Sequence, residues 1–284
     1  MTNLITPDDI RFTELLLQYF SWYRERFFDG KENSKELSTL RSTAFQDKQA
    51  ILQYINEHEN TISSEDYALI RRMEHCIIGK FILIAVKKDS IHLLHSQDTD
   101  SYILQVTPWS LEAIMHFSEM QLPRLVEAAL FPSEGKIIYD LLNVIGVTFG
   151  SGFRKSIKED TAAAKAKHGI ITSLPIPIST EDVDLINLRG MMTNKESISN
   201  NWEEIQDIIQ EKPECTELYY QKLGAAYTRE RRKDLKRNGI FGWFALYGWV
   251  VIAGGKTREI ADSAARSLLP PEQYERLVFF EVKK

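Results

Sequence analysis

Apolar positions in the first 78 residues recur with a helical period. Thr6-Pro7-Asp8-Asp9 supplies an N-cap, a proline at the first helical position and acids at the positive end of the helix dipole. The helix they open carries Leu15, Leu16, Tyr19, Phe20, Tyr23 and Phe27 on one broad face, with Arg24 and Glu25 to the side, and a stop near Asp29-Gly30. Such a face belongs in a core, or in the oligomer interface of an interaction scaffold. Further helices are expected at 44–58 and at 65–76, the second capped by Ser63 or Ser64.

From Ile77 the period changes. Residues 81–86, 91–95 and 102–106 are short β-rich runs separated by polar punctuation at 87–90 and 96–100, the pattern of an antiparallel meander. Thr107-Pro108-Trp109 repeats the cap-and-proline signal and opens a short helix to about Phe117. Residues 126–130 and 136–142, joined by Phe131-Pro132-Ser133-Glu134-Gly135, read as a second hairpin. A glycine-rich turn at 146–156 then leads into a helix that stops at Gly169.

Pro175 and Pro177, at alternate positions, favour an extended connector, and the domain boundary is placed there: residues 1–174 form one domain and 175–284 the other. Beyond it the chain reads as acidic and helical from Glu181 to about Gln210, then basic and helical to Arg237. Strands at 241–247 and 249–253, a helix at 258–268 and a strand at 276–282 close the chain. The fold class is therefore α+β: a helical N-terminal region, an antiparallel sheet with a glycine-rich turn into a helix, and a helical plus β-β-α-β C-terminal domain.

The run from Phe241-Gly242-Trp243-Phe244 through Gly254-Gly255-Lys256-Thr257-Arg258-Glu259 to Val282 resembles small β-β-α-β modules of uncharacterised prokaryotic proteins. The resemblance covers the last forty or so residues, rests on a common structural pattern and implies a fold without an activity. Gly254-Gly255-Lys256 is not a nucleotide loop, because the P-loop spacing requires glycine at 250, which is Val. Thr257 reads instead as an N-cap, with Glu259 in the first turn.

The 284 residues suffice for about two domains, and the composition is that of an ordinary globular protein. Cys76 and Cys215, the two cysteines, stand far apart in no metal spacing, and both are expected to be free thiols in a reducing cytoplasm. No window is long and apolar enough for a membrane span. A net charge of −5 argues against a dedicated DNA-coating protein and leaves a local basic patch as the route to a phosphate backbone.

Three constellations carry candidate chemistry. In the turn, the backbone of Gly150, Ser151 and Gly152 at a helix N-terminus, with Arg154, Lys155 and Ser156, offers an anion site. Neither the P-loop nor the dinucleotide spacing is met, so the same residues also read as a β-to-α turn whose glycines allow positive φ. Second, if 131 and 136 close the hairpin symmetrically, Glu127 stands opposite Asp140, a pair of like charges calling for a cation or for Arg154 nearby. Third, Arg229, Arg231, Arg232, Lys233, Lys236 and Arg237 form a basic run spread over more than one helical face, with Tyr219, Tyr220 and Tyr227 as stacking candidates. The competing reading is a solvated helix, paired with the acids around Glu203, Glu204 and Asp207.

His92 and His95 are separated by an odd number on a strand and face opposite ways, so no metal pair is assigned, and no cofactor is identified. His58 reads as a surface residue at a helix end. With no catalytic set that meets its spacing, the leading expectation is a non-catalytic cytoplasmic binding or regulatory protein, with a protein or nucleic-acid partner on the basic helix. The alternative is an enzyme acting on a phosphorylated or nucleic-acid substrate, with Glu127 and Asp140 as acid, base or metal ligands and Arg154 and Lys155 holding phosphate.

Overall fold

The computed structural model describes residues 4–28, 34–96, 100–176 and 182–284. The expected stop at Asp29-Gly30, part of the punctuation at 96–100, Pro177 and the helix start at Glu181 lie outside them. The architecture is α+β, with a mixed sheet and helices in both halves. Contacts divide the chain into one unit of Met1–Thr161 with His168–Ser179, and a second of Ala162–Lys167 with Thr180–Lys284. No helix among the described residues is long and apolar enough to cross a membrane.

In the first unit, α1 (Pro7–Phe27) opens with a reciprocal capping box: the Thr6 side chain accepts from the Asp9 N–H, and the Asp9 carboxylate accepts from the Thr6 N–H at 2.7 Å. Phe12, Leu15, Leu16, Tyr19, Phe20 and Tyr23 are buried, whereas Phe27 is exposed. This aromatic face is occupied by the protein's own core and is not available as an oligomer interface. Helices α2 (Ser34–Gln46), α3 (Lys48–Glu57) and α4 (Ser64–Arg71) complete the layer. The single helix expected at 44–58 is divided because Asp47 leaves the helix and caps α3, accepting from the Ala50 N–H. His58 is the half-buried C-cap of α3, its ring tilted against that of Tyr54 at 4.4 Å.

Strands β1 (Ile77–Val86), β2 (Ile91–Ser96) and β3 (Ser101–Val106) form the expected meander, followed by α5 (Leu111–Ser118), β4 (Arg124–Ser133) and β5 (Lys136–Ile145). The helix start moves from Thr107 to Ser110, whose hydroxyl accepts from the Ala113 N–H. The sheet is not purely antiparallel. β1 pairs with both β2 and β4, β4 pairs with β5, and β5 meets β3 in parallel through Val106 and Ile137, so the order β1-β2-β3-β5-β4 returns to β1 as a partly open barrel. Phe81, Leu83, Leu93, Leu104, Val126 and Ile137 fill its interior, and Ala129, Phe131 and Ile138 on the outer face meet the helical layer.

The β4–β5 hairpin is tighter than expected. Ser133 pairs with Lys136 across Glu134-Gly135, and Gly135 has φ +67°. Pro132 is tolerated inside β4 because β1 pairs with β4 only as far as Leu130, so the missing N–H faces no partner strand. Helix α6 (Ser151–His168) ends, as expected, at Gly169 with φ +71°, before the short β6 (Ile170–Ile171) beside β3.

In the second unit, the expected acidic helical stretch consists of three helices: α7 (Val183–Met191), α8 (Lys195–Asn200) and α9 (Trp202–Glu211). Asn194 makes the first break by capping α8, accepting from the Ser197 N–H. The long basic α10 (Thr216–Arg237) follows, then β7 (Gly242–Tyr247), β8 (Val250–Gly255), α11 (Arg258–Arg266) and β9 (Leu277–Val282) in the sheet order β8-β7-β9. Thr257 caps α11 as expected. Gly254 and Gly255 are dictated by packing: an added Cβ would lie 2.8 Å from the Phe244 ring at the first and 2.6 Å from Ile260 Cγ2 at the second.

Candidate functional site

At the glycine-rich turn, Gly150 accepts the first helical hydrogen bond of α6, from the Arg154 N–H at 3.0 Å. Neither Gly150 nor Gly152 has positive φ, and an added Cβ at either meets open space, so the turn does not need these glycines for its conformation. Its side chains make local contacts along the turn and the first turns of α6. Arg154 Nε donates to the Phe149 carbonyl at 3.0 Å, Lys155 lies 3.7 Å from Glu159, and Ser156 Oγ donates to Asp160 at 3.5 Å. Phe149 and Phe153 stack at 4.9 Å. Gly150, Ser151 and Gly152 thus leave bare backbone at a helix N-terminus, while the basic side chains lean on the helix and the turn.

The expected Glu127–Asp140 opposition does not form. The shorter hairpin loop moves Ala129 opposite Asp140, and a bulge between Glu127 and Ala129 places Glu127 opposite Asn143. On its other side Glu127 stands opposite Lys80 of β1. Asp140 has a different cation from the one anticipated: Arg41 of α2 donates from Nη2 to Oδ1 at 2.7 Å, and its Nε approaches Oδ2 to 2.7 Å outside hydrogen-bond alignment. The Arg41 guanidinium also lies over the rings of Phe20 and Phe45, at 5.3 and 5.9 Å. Burial lifts the Asp140 carboxyl above its ordinary range, and Arg41 opposes that rise without cancelling it. Among the described residues no group of three or more His, Cys, Asp and Glu side chains is placed to hold a metal.

A second buried carboxylate escaped sequence reasoning. Asp9 is fully buried, accepts from Ser133 Oγ and lies 2.6 Å from Lys136 Nζ, tying the start of α1 to the hairpin. Burial pushes its carboxyl up, but Lys136, Ser133 and Thr6 together hold it below the ordinary range. The capping box at residues 6–9 was legible in the chain; its docking on residues 133–136 depends on tertiary structure. His95 lies 4.9 Å from the Phe81 ring in the barrel interior, and burial depresses its pKa. His92 stands opposite Gln105 on the other face, as alternation requires.

The basic run covers more than one face of α10, with five of its six cations on one of them. Arg229, Arg232, Lys233, Lys236 and Arg237 follow i, i+3, i+4, i+7, i+8 and share one face of α10, and all five are exposed. Arg231 leaves this face: its Nε donates to the Trp249 carbonyl at 2.9 Å, and it lies 3.7 Å from Asp234. Glu230 is taken up by Lys195 at 2.8 Å. The acids interleaved in the run are therefore turned away from the stripe. Arg232 donates to the Glu281 carbonyl at 3.0 Å, a neutral partner that leaves its charge uncompensated. The tyrosines do not flank the stripe: Tyr219 is buried, Tyr220 stacks on Tyr247 at 4.7 Å, and Tyr227 lies under Lys195 at 4.9 Å. The acids Glu203, Glu204 and Asp207, expected to pair with the basic run, line a cleft instead, together with Trp202, Tyr227 and Trp249.

No family model matches the chain, and no curated protein or solved structure matches it.

Proposed function

We propose that this is a non-catalytic binding protein whose partner is a polyanion, the phosphate backbone of a nucleic acid being the class that fits best. The observation that carries the reading is the one-sided stripe of Arg229, Arg232, Lys233, Lys236 and Arg237, exposed on α10 while Glu230 and Asp234 are engaged elsewhere. At 1.5 Å per residue it runs about 12 Å, long enough to follow several phosphates. A run of solvated charge usually keeps its acids interleaved; here they are turned aside, and a net-negative chain presents a local positive face.

The barrel adds support by analogy only. Its order β1-β2-β3-β5-β4, with α5 between β3 and β4, is that of an OB-type barrel, an architecture that binds oligonucleotides or oligosaccharides on its β2–β3 face. Here Leu94 and Ile103, directed outward from those strands, are 1% and 2% exposed, so that part of the face is covered and the stripe is the proposed contact. Two free thiols, Cys76 and Cys215, fit the cytoplasmic setting that belongs to the proposal. Catalysis at Glu127, Asp140 and Arg154 has less support, since Arg41 engages Asp140 and the register separates it from Glu127.

Fluorescence anisotropy with a labelled single-stranded oligonucleotide tests the proposal. With four or five phosphates neutralised, log K should fall against log salt with a slope of about −3. Lys233→Gln/Lys236→Gln should reduce that slope by about 1.4 and weaken binding to all sequences alike. Binding that ignores salt, or that this double substitution leaves intact, would refute the reading.

A further inference from the structure

We propose that the cleft formed by α8, α9, α10 and the β7–β8 turn is a second binding site, which takes the cationic side chains of an extended, lysine- or arginine-containing peptide. The cleft encloses about 1150 Å³, more than a compact small-molecule pocket offers and enough for several residues of chain. Three aromatic rings wall it. Trp202 opens α9 and is 42% exposed; Trp249, at the tip of the β7–β8 turn, is 46% exposed; Tyr227 stands on α10. Two tryptophans left this open in one concavity are unusual for side chains that bury their large apolar area wherever packing allows.

The turn that carries Trp249 is held in place. Arg231 donates to the Trp249 carbonyl, and Gly224 lets α10 approach so closely that an added Cβ would lie 3.3 Å from the Gly248 carbonyl oxygen and 2.8 Å from Val278 Cγ2. The indole is thus presented from a fixed backbone, which lowers the ordering cost of binding.

Charge selects the ligand. Glu203, Glu204 and Asp207 line the cleft, and none of them makes an ion pair with the described residues. Lys195, the cationic residue of the lining, is already committed to Glu230 at 2.8 Å. Glu203 and Asp207 lie one helical turn apart on the same side, so they repel each other, and an incoming cation relieves that repulsion. The cleft also contains an internal precedent, because the Lys195 ammonium sits 4.9 Å from the centroid of the Tyr227 ring. Cations over indole faces beside carboxylates are the chemistry that recognises lysine and arginine side chains.

The test follows the indole N–H resonances of the full chain, which has five tryptophans. A peptide alternating glycine with arginine and lysine should move the Trp202 and Trp249 signals and leave those of Trp22 and Trp109 in place. Glu203→Gln/Asp207→Asn and, separately, Trp249→Ala should each weaken the peptide about fivefold or more. An unchanged signal from Trp243, on β7 of the same unit and outside the cleft lining, shows that these variants remain folded. Lys233→Gln/Lys236→Gln should leave the peptide's affinity unchanged, which separates this site from the stripe, so failure of either proposal is seen without the other. An acidic peptide of equal length should not bind. The proposal is overturned if the basic peptide moves neither indole, if the carboxylate substitutions leave its affinity intact, or if a linear oligosaccharide moves both indoles where the basic peptide does not.

Discussion

Replacing Arg41 with Met isolates the role of Asp140. The two side chains are 16% and 12% exposed, and the substitution leaves a buried carboxylate without its cation. Removing one partner of a buried pair costs about 3–5 kcal/mol. The residual exposure of this pair, and the thioether that replaces part of the guanidinium packing on Phe20 and Phe45, place the expectation near the lower end, about 3 kcal/mol. Native-state hydrogen exchange of the β4 and β5 amides reads the first unit apart from the second, and protection there should fall roughly a hundredfold.

The pH dependence has a fixed sign. Burial already raises the Asp140 carboxyl above 3.8, and removing Arg41 raises it further, so the folded variant binds this proton more tightly than the unfolded chain. Its deficit relative to wild type is largest at neutral pH and shrinks as pH falls from the variant's raised pKa toward the less raised pKa of the wild type. Denaturant unfolding at several pH values checks that trend. Arg41→Met/Asp140→Leu, which removes both charges, should recover most of the loss. A loss below about 1 kcal/mol in the single variant, or a double variant no better than the single, would refute the reasoning.

Further expectations concern the helix cap and the glycines. Asp9→Ala removes the capping acceptor and strips Lys136 and Ser133 of their buried partner, and should cost about 2–4 kcal/mol in thermal or urea unfolding. The Asp9 carboxyl is held below its ordinary value, so its contribution is present above about pH 4 and disappears as pH falls through the lowered pKa, a trend the Ala variant should lack. Gly255→Ala drives a methyl against Ile260 and should cost about 1–3 kcal/mol. Gly152→Ala, inside α6 with open space around it, should instead stabilise by about 0.5–1 kcal/mol; destabilisation would mean that this glycine serves the turn in a way its geometry does not reveal.

Local chemistry was readable from the chain. The capping box at Thr6 and Asp9, the aromatic stripe of α1, the meander of β1 to β3, the stop at Gly169 and the Thr257 cap each depend on residues a few positions apart, where periodicity and side-chain-to-backbone bonds act directly. The basic run around Arg229 was equally visible. That five of its six cations share a face follows from the 3.6-residue period, but the significance of that face depends on where Glu230 and Asp234 find partners, and Lys195 lies 35 positions from Glu230.

What only the tertiary structure decided rests on contacts between distant residues. A hairpin loop shorter by two residues and one bulge moved Asp140 away from Glu127, because each single-residue change in register reassigns every partner along the strand. Arg41, 99 positions from Asp140, became its cation only when α2 packed against β5. Parallel contact of β3 with β5 closed the sheet, and a tight turn held by Arg231 brought Trp249 into the same cleft as Trp202. Sequence sets which side chains share a face of one element; packing sets which faces meet, and both proposed sites on this protein are properties of those meetings.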